Sequence, residues 1–218
     1  VRPVPNTYVL DKLITVCEFK QIEPVIILTK TDLKTDDTFT DIYQNAGFTV
    51  IQTGKGIENR EEILAVMKGK TSIFIGNTGV GKSTLLNRLF PDLGLRTAAI
   101  SDKLGRGRHT TRQVELYPVP GGGYVADSPG FSSVELEAYE PIRKEELAGC
   151  FREFRPYLDG CQFADCSHRK EKGCAVLKAI DDGKISLSRH ESYVMLYEEA
   201  MQLPDWQRED NRKRLDAV

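Results

Sequence analysis

Apolar positions along the chain fall into short runs and amphipathic stretches that alternate. Tyr8 to Lys20 repeats its apolar residues at helical spacing. Pro24-Val25-Ile26-Ile27-Leu28 is a short β-branched run of the kind that fills a buried parallel strand. A helical pattern from about Lys34 to Ala46, a strand from Phe48 to Ile51 and a helix from Ile57 to Lys68 follow. Thr71 to Ile75 predicts the next strand, and Ser83 to Leu89 the start of a helix. Val114 to Val119 and Tyr124 to Ala126 predict strands on either side of Gly121-Gly122-Gly123. From about Glu140 the pattern is helical again, ending in a charged stretch with Arg208, Arg212, Lys213 and Arg214. Strands alternating with helices predict an α/β fold with a mainly parallel sheet. The span from Arg96 to Arg112, rich in Gly, Arg and Thr, predicts a loop.

Composition changes this picture little. The 218 residues allow one well-buried core and a smaller appended unit. A net charge of −2 gives no global field toward nucleic acid, so any such contact needs local patches. Neither a transmembrane run nor a signal peptide is predicted, and no membrane partner is expected. Three of the five cysteines crowd into residues 161–174. That spacing points to a metal site in a reducing compartment rather than a disulfide framework, hence a cytoplasmic location.

Gly76-Asn77-Thr78-Gly79-Val80-Gly81-Lys82-Ser83 meets the phosphate-loop pattern in full, with a predicted strand before it and a helix, opening at Ser83-Thr84, after it. Its glycines let backbone N–H groups turn inward as a nest for phosphate oxygens. Lys82 is expected to reach the β and γ phosphates, and Ser83 to ligate magnesium. Asp127 closes a strand and is followed by Ser128-Pro129-Gly130, which suits magnesium binding at Asp127 and a γ-phosphate contact at the Gly130 N–H. One of Thr110 and Thr111 would meet magnesium and the γ-phosphate, with Thr111 assigned to the metal. The residue after Gly130, where many such enzymes carry a water-orienting Gln, is Phe131. His109, beside the two threonines, is then the best candidate to orient the attacking water.

Thr29-Lys30-Thr31-Asp32 follows a predicted strand and has the form of a guanine-recognition motif with Thr29 in place of Asn. Asp32 would accept from guanine N1 and the 2-amino group, a donor pair that adenine lacks. Lys30 would lay its stem along the base. Thr53-Gly54-Lys55-Gly56 offers a weaker signal for a second base-side loop. The base motif precedes the phosphate loop, the reverse of the ordinary order, which implies a circular permutation.

Cys161-x4-Cys166-x-His168-x5-Cys174 supplies three thiolates and an imidazole, a set for one structural tetrahedral zinc with no open position. Arg169, Lys170 and Lys172 lie beside it, available to RNA phosphates or simply to solvent.

Taken together, Thr29 to Leu33, Gly76 to Thr84, Arg106 to Arg112, Asp127 to Phe131 and the cysteine cluster resemble the RsgA (YjeQ/YloQ) family of circularly permuted GTPases dependent on the small ribosomal subunit. The resemblance implies a three-layer GTPase domain over residues 1–145 and a mostly helical zinc-binding domain over 146–218. It implies GTP or GDP with magnesium, a small (30S) subunit and its 16S rRNA as partners, and action as a monomer. Subunit binding would depend on GTP, and hydrolysis would bring release. It also supports a catalytic role for His109 with Lys82, Thr110 and Thr111, and nucleotide binding by Thr29, Lys30, Asp32, residues 77–84, Asp127 and Gly130. The family carries an N-terminal OB-fold, and this chain is expected to lack one because it opens on a linker pattern, Val1-Arg2-Pro3-Val4-Pro5-Asn6. Two other classes compete: a regulatory GTPase for another RNA or protein, and a zinc-dependent RNA-binding module with nucleotide as a structural ligand.

Overall fold

A computed structural model of the chain describes residues 7–33, 37–56, 59–76, 79–91, 115–127 and 142–202. They form α1 (Thr7–Phe19), β1 (Val25–Leu28), α2 (Asp37–Asn45), β2 (Thr49–Gln52), α3 (Arg60–Met67), β3 (Lys70–Ile73) and α4 (Lys82–Leu89), then β4 (Glu115–Pro118) and β5 (Gly123–Asp127). After these come α5 (Lys144–Leu147), two 3-10 segments (Ala148–Cys150 and Arg152–Gly160), α6 (Ala175–Asp181) and α7 (Leu187–Met201). Among the described residues the expected strands and helices are present, with ends shifted by a few residues; the loop expected over Arg96–Arg112 and the charged end with Arg208, Arg212, Lys213 and Arg214 lie outside the described residues. The strand expected over Thr71–Ile75 lies at Lys70–Ile73, and Phe74 to Gly76 leave it as irregular chain. No described helix is long and apolar enough to cross a membrane.

The chain divides into two compact units. The first combines Val1–Ile26, Asp36–Val50 and Leu136–Val218, and the second Ile27–Thr35 and Ile51–Glu135. The boundaries fall inside β1 and β2, which pair with each other as a two-stranded sheet.

In the second unit β3, β5 and β4 form a three-stranded sheet with β5 central. β3 and β5 run parallel, with Ser72 opposite Val125. β4 and β5 run antiparallel, because the Gly121–Gly123 turn folds one back on the other, with the Gly122 N–H on the Val119 carbonyl at 3.1 Å. The expectation of a mainly parallel sheet therefore meets two separate ladders among the described strands, one of them carrying an antiparallel edge. α3 and α4 bury Ile63, Met67, Leu85 and Leu89. The Arg60 guanidinium donates to the Leu89 carbonyl at 3.0 Å, which satisfies one acceptor at the end of α4.

The first unit has its core on Phe151, Phe154, Val176, Tyr193 and Leu196. Phe151 and Phe154 are fully buried, and each packs edge-on to Tyr193 at 5.3 and 5.1 Å. Burial of this kind contributes about 1.5–3 kcal/mol per ring. A charge lies within the same core. Arg189 of α7, 1 % exposed, donates to Asp11 of α1 at 2.6 Å and to Glu153 at 2.7 Å. Tyr43 of α2 donates its hydroxyl to Asp11 at 2.8 Å. The guanidinium also stacks 4.6 Å from the Phe151 ring centre. Burial opposes its charge, but the Glu153 and Asp11 carboxylates outweigh that and hold it protonated. This cluster joins helices from both ends of the chain into one unit.

Candidate nucleotide and metal sites

The phosphate loop stands between β3 and α4. Gly81, the residue before α4, takes φ 101, a left-handed conformation that disfavours any side chain. The Lys82 ammonium is held inside the loop on the Gly76 carbonyl, and burial lowers its pKa from the ordinary lysine value. Ser83 and Thr84 follow in the first turn of α4.

The base motif meets this loop directly. Thr29 donates its hydroxyl to the Val80 carbonyl at 2.6 Å, and the Lys30 ammonium donates to the Gly79 carbonyl at 2.8 Å. In a trans peptide the C=O and the next N–H point in opposite directions. Fixing the Gly79 and Val80 carbonyls on the base-motif side therefore turns the N–H groups of Val80 and Gly81 the other way, as a phosphate nest requires. Thr29 thus supplies a polar tie although it departs from the usual Asn.

Asp32 is exposed, and its Oδ1 accepts from the Lys55 backbone N–H at 2.9 Å. A Cβ on Gly54 would lie 2.5 Å from that same oxygen and 2.8 Å from the Asp32 nitrogen, so only glycine permits the approach. The Thr53 N–H donates to Leu28 O at 2.7 Å, and the Thr31 N–H to Thr53 O at 3.2 Å. The stretch 53–56, a weak signal in the sequence, is the loop that orients the Asp32 carboxylate.

Of the remaining expected nucleotide residues, Asp127 ends β5, its backbone paired with Glu115. Asn77, Thr78, His109, Thr110, Thr111 and Gly130 lie outside the described residues.

In the first unit, Cys161, Cys166, His168 and Cys174 present their ligand atoms within 4.8 Å of one another. His168 Nδ1 lies 3.5 Å from both Cys161 Sγ and Cys174 Sγ, and the two sulfurs are 3.9 Å apart. Burial, with the neighbouring thiols, pushes the Cys166 thiol up to about 12, and burial raises Cys174 as well. Burial also lowers His168, favouring the neutral imidazole that binds metal. Thiols so placed become thiolates when a cation gathers them. Backbone donors already face the sulfurs: Ala175 N–H on Cys161 at 3.4 Å, and His168 N–H on Cys166. The donor set fits a metal ion.

Glu171 shapes the ligand loop without being a ligand. Its carboxylate accepts from the Ser167 hydroxyl, from Ser167 N–H at 3.1 Å, Arg169 N–H at 2.9 Å and Lys170 N–H at 3.0 Å. Burial alone would raise its pKa, but these bonds pull it down to about 2. Sequence reasoning missed Glu171, and also missed Arg189, His190 and Tyr193 of α7, because no local spacing links them to the cluster.

The RsgA GTPase family pattern matches residues 1–137. A protein of Caldanaerobacter subterraneus subsp. tengcongensis, named small ribosomal subunit biogenesis GTPase RsgA, is 41% identical over 202 residues, 91% of this chain and 67% of that protein. The Bacillus subtilis protein of the same name is 43% identical over 202 residues, 89% of this chain and 66% of that one. The chain thus spans about two thirds of the length of these curated relatives. Among solved structures, YjeQ from Thermotoga maritima superposes with a TM-score of 0.73 at 32% identity, covering 93% of this chain and 69% of that one. YloQ, described as a circularly permuted GTPase, superposes at 0.70 and 34% identity, covering 94% and 66%.

Proposed function

The chain belongs to the RsgA GTPase family, and from that premise we propose that it binds the small ribosomal subunit in its GTP state and leaves on hydrolysis. It is a GTP-hydrolysing enzyme of small-subunit biogenesis. The observation that carries the reading is the seating of the base motif on the phosphate loop through Thr29 and Lys30, since it ties base recognition to phosphate binding in one unit.

In this reading Asp32 selects guanine and the Val80 and Gly81 N–H groups meet phosphate oxygens. Lys82 neutralises the β and γ phosphates. Thr84, Asn77, Thr78, Gly79 and Gly130 complete the nucleotide contacts. Ser83, Thr111 and Asp127 hold magnesium, which supplies charge neutralisation at the phosphate oxygens. His109 orients the attacking water, and Thr110 and Thr111 report the γ-phosphate.

Zinc is the ion proposed for Cys161, Cys166, His168 and Cys174. Zn–S bonds near 2.3 Å and Zn–N bonds near 2.0 Å in a tetrahedron set donors roughly 3.5–3.8 Å apart. The separations of 3.5 and 3.9 Å support that assignment. Its role is structural, because the four ligands leave no open position.

The functional division proposed is a three-layer GTPase domain over 1–145 and a zinc-binding domain over 146–218, in a cytoplasmic monomer that meets the 16S rRNA of the 30S subunit. The test is GTP turnover with and without small subunits. Stimulation is expected with the subunit and is lost in His109→Ala, while GTP binding by that variant persists. Stimulated turnover that survives in His109→Ala removes the histidine from the mechanism, and no stimulation by the subunit removes the ribosomal reading.

A further inference from the structure

α7 meets the metal-ligand loop from outside. His168 sits at φ 56, in the left-handed region that a residue with a side chain occupies when its surroundings hold it there. Two bonds from α7 do so. His190 donates Nε2–H to the His168 carbonyl at 2.7 Å, and Tyr193 donates its hydroxyl to the Ser167 carbonyl at 2.9 Å. These are consecutive carbonyls in the stretch that joins the ligands Cys166 and His168. His190 is buried, and Tyr193 is 1 % exposed.

The residue before His190 is Arg189, whose guanidinium holds Asp11 of α1 and Glu153. Asp11 in turn holds Tyr43 of α2. Residues 189, 190 and 193 of one helix therefore grip the ligand loop and, through the carboxylate cluster, both N-terminal helices. A metal ion fixes the loop through four ligands, and α7 fixes the same loop through two carbonyls. Two restraints on one element favour each other, and the coupling acts in both directions.

We infer that His190 and Tyr193 are outer positioning residues of the metal centre and that, through Arg189, metal occupancy governs how firmly α1 and α2 are seated. This rests on the assignment of a metal to Cys161, Cys166, His168 and Cys174. The consequence reaches segments distant in sequence from the ligands: Thr7–Phe19 and Asp37–Asn45.

The experiment has two arms on the full chain. In the first, wild type, Tyr193→Phe, His190→Leu and His190→Gln compete for zinc(II) with a chromophoric chelator. Tyr193→Phe and His190→Leu are expected to weaken binding roughly 10-fold or more, the range typical of lost outer-shell partners. His190→Gln, which keeps an N–H donor, is expected to recover most of the loss. In the second arm, hydrogen exchange of the wild type is followed with zinc and after chelation. Exchange in α1 and α2 is expected to quicken on chelation, while α3 of the other unit stays unchanged. Affinities within about 2-fold of wild type in both Tyr193→Phe and His190→Leu overturn the positioning role, as does equal loss in His190→Gln and His190→Leu beside a neutral Tyr193→Phe, the pattern of packing alone. Unchanged exchange in α1 on chelation overturns the coupling. A wild type that binds no zinc overturns the metal assignment itself, a failure distinct from the other two.

Discussion

In the first unit Arg189, Asp11, Glu153 and Tyr43 bond to one another, side chain to side chain, out of reach of water. In the second unit Thr29, Lys30 and Asp32 bond to main-chain groups of loops. The two arrangements serve different ends. A closed cluster of opposite charges holds only in one geometry, because each misplaced partner leaves a buried charge unpaired. A side chain that grips a loop carbonyl instead aims the peptide next to it, and it leaves the loop's N–H groups for a ligand. The first device sets where helices lie, and the second sets where hydrogen-bond donors point.

That contrast is broken most sharply at Arg189. Arg189→Met keeps the stem but leaves Asp11 and Glu153 buried without a counter-charge. The expected cost is about 3–5 kcal/mol of stability, read as a shift of the urea midpoint. If the variant unfolds at the wild-type midpoint, the cluster contributes no specific stabilisation and the comparison loses one side. In the second unit the largest effect belongs to Asp32. Asp32→Asn removes the charged acceptor proposed for the guanine donors, and GTP affinity is expected to fall by about 1.5–3 kcal/mol, with discrimination against ATP falling alongside it. Equal preference for GTP before and after the change would separate Asp32 from base selection.

Thr29→Val tests the aiming role alone. The shape is kept and the hydroxyl bond to Val80 O is lost, which leaves the Val80–Gly81 peptide less constrained. A loss of about 1 kcal/mol is expected for GTP and GDP alike, measured by titration, with the preference over ATP unchanged. A change in that preference would instead make Thr29 part of base recognition. Thr29→Asn, the commoner residue of such motifs, is expected to restore affinity.

These cases also show what was legible in the sequence. The phosphate loop could be read because Gly76, Gly81, Lys82 and Ser83 sit at fixed spacing between a strand and a helix. The Cys/His cluster could be read because three cysteines and a histidine share fourteen positions. Both are local signals. The partners that complete each site are not local. Lys30 meets Gly79 across 49 positions, and Arg189 meets Asp11 across 178. Arg189 reads as one more basic residue on an amphipathic helix, and nothing in its neighbours marks it as buried. Gly54 was visible only as a loop glycine, and its need to be glycine appears once Asp32 lies against it. The make-up of the two compact units was illegible for the same reason, since each gathers segments far apart in the sequence.

The smallest effect sought is at Glu171, where the two devices meet: a carboxylate in the first unit that grips main-chain N–H groups, as Asp32 does in the second. Burial works to raise its pKa, but the Ser167 hydroxyl and the N–H groups of Lys170 and Arg169 pull it below the ordinary glutamate value, to about 2. A carboxylate with a depressed pKa contributes stability that is fully present above its unfolded value, near 4.5, and is lost as pH falls toward 2. Solvent screening leaves about 1 kcal/mol or less of this. Unfolding free energy measured from pH 5.5 down to pH 2.5 is therefore expected to fall more steeply in the wild type than in Glu171→Gln, with both chains carrying the same metal load. Acid also displaces metal from thiolates in both chains, so the difference between the curves is what isolates Glu171. Parallel curves would mean that the carboxylate's charge is not what orders the ligand loop.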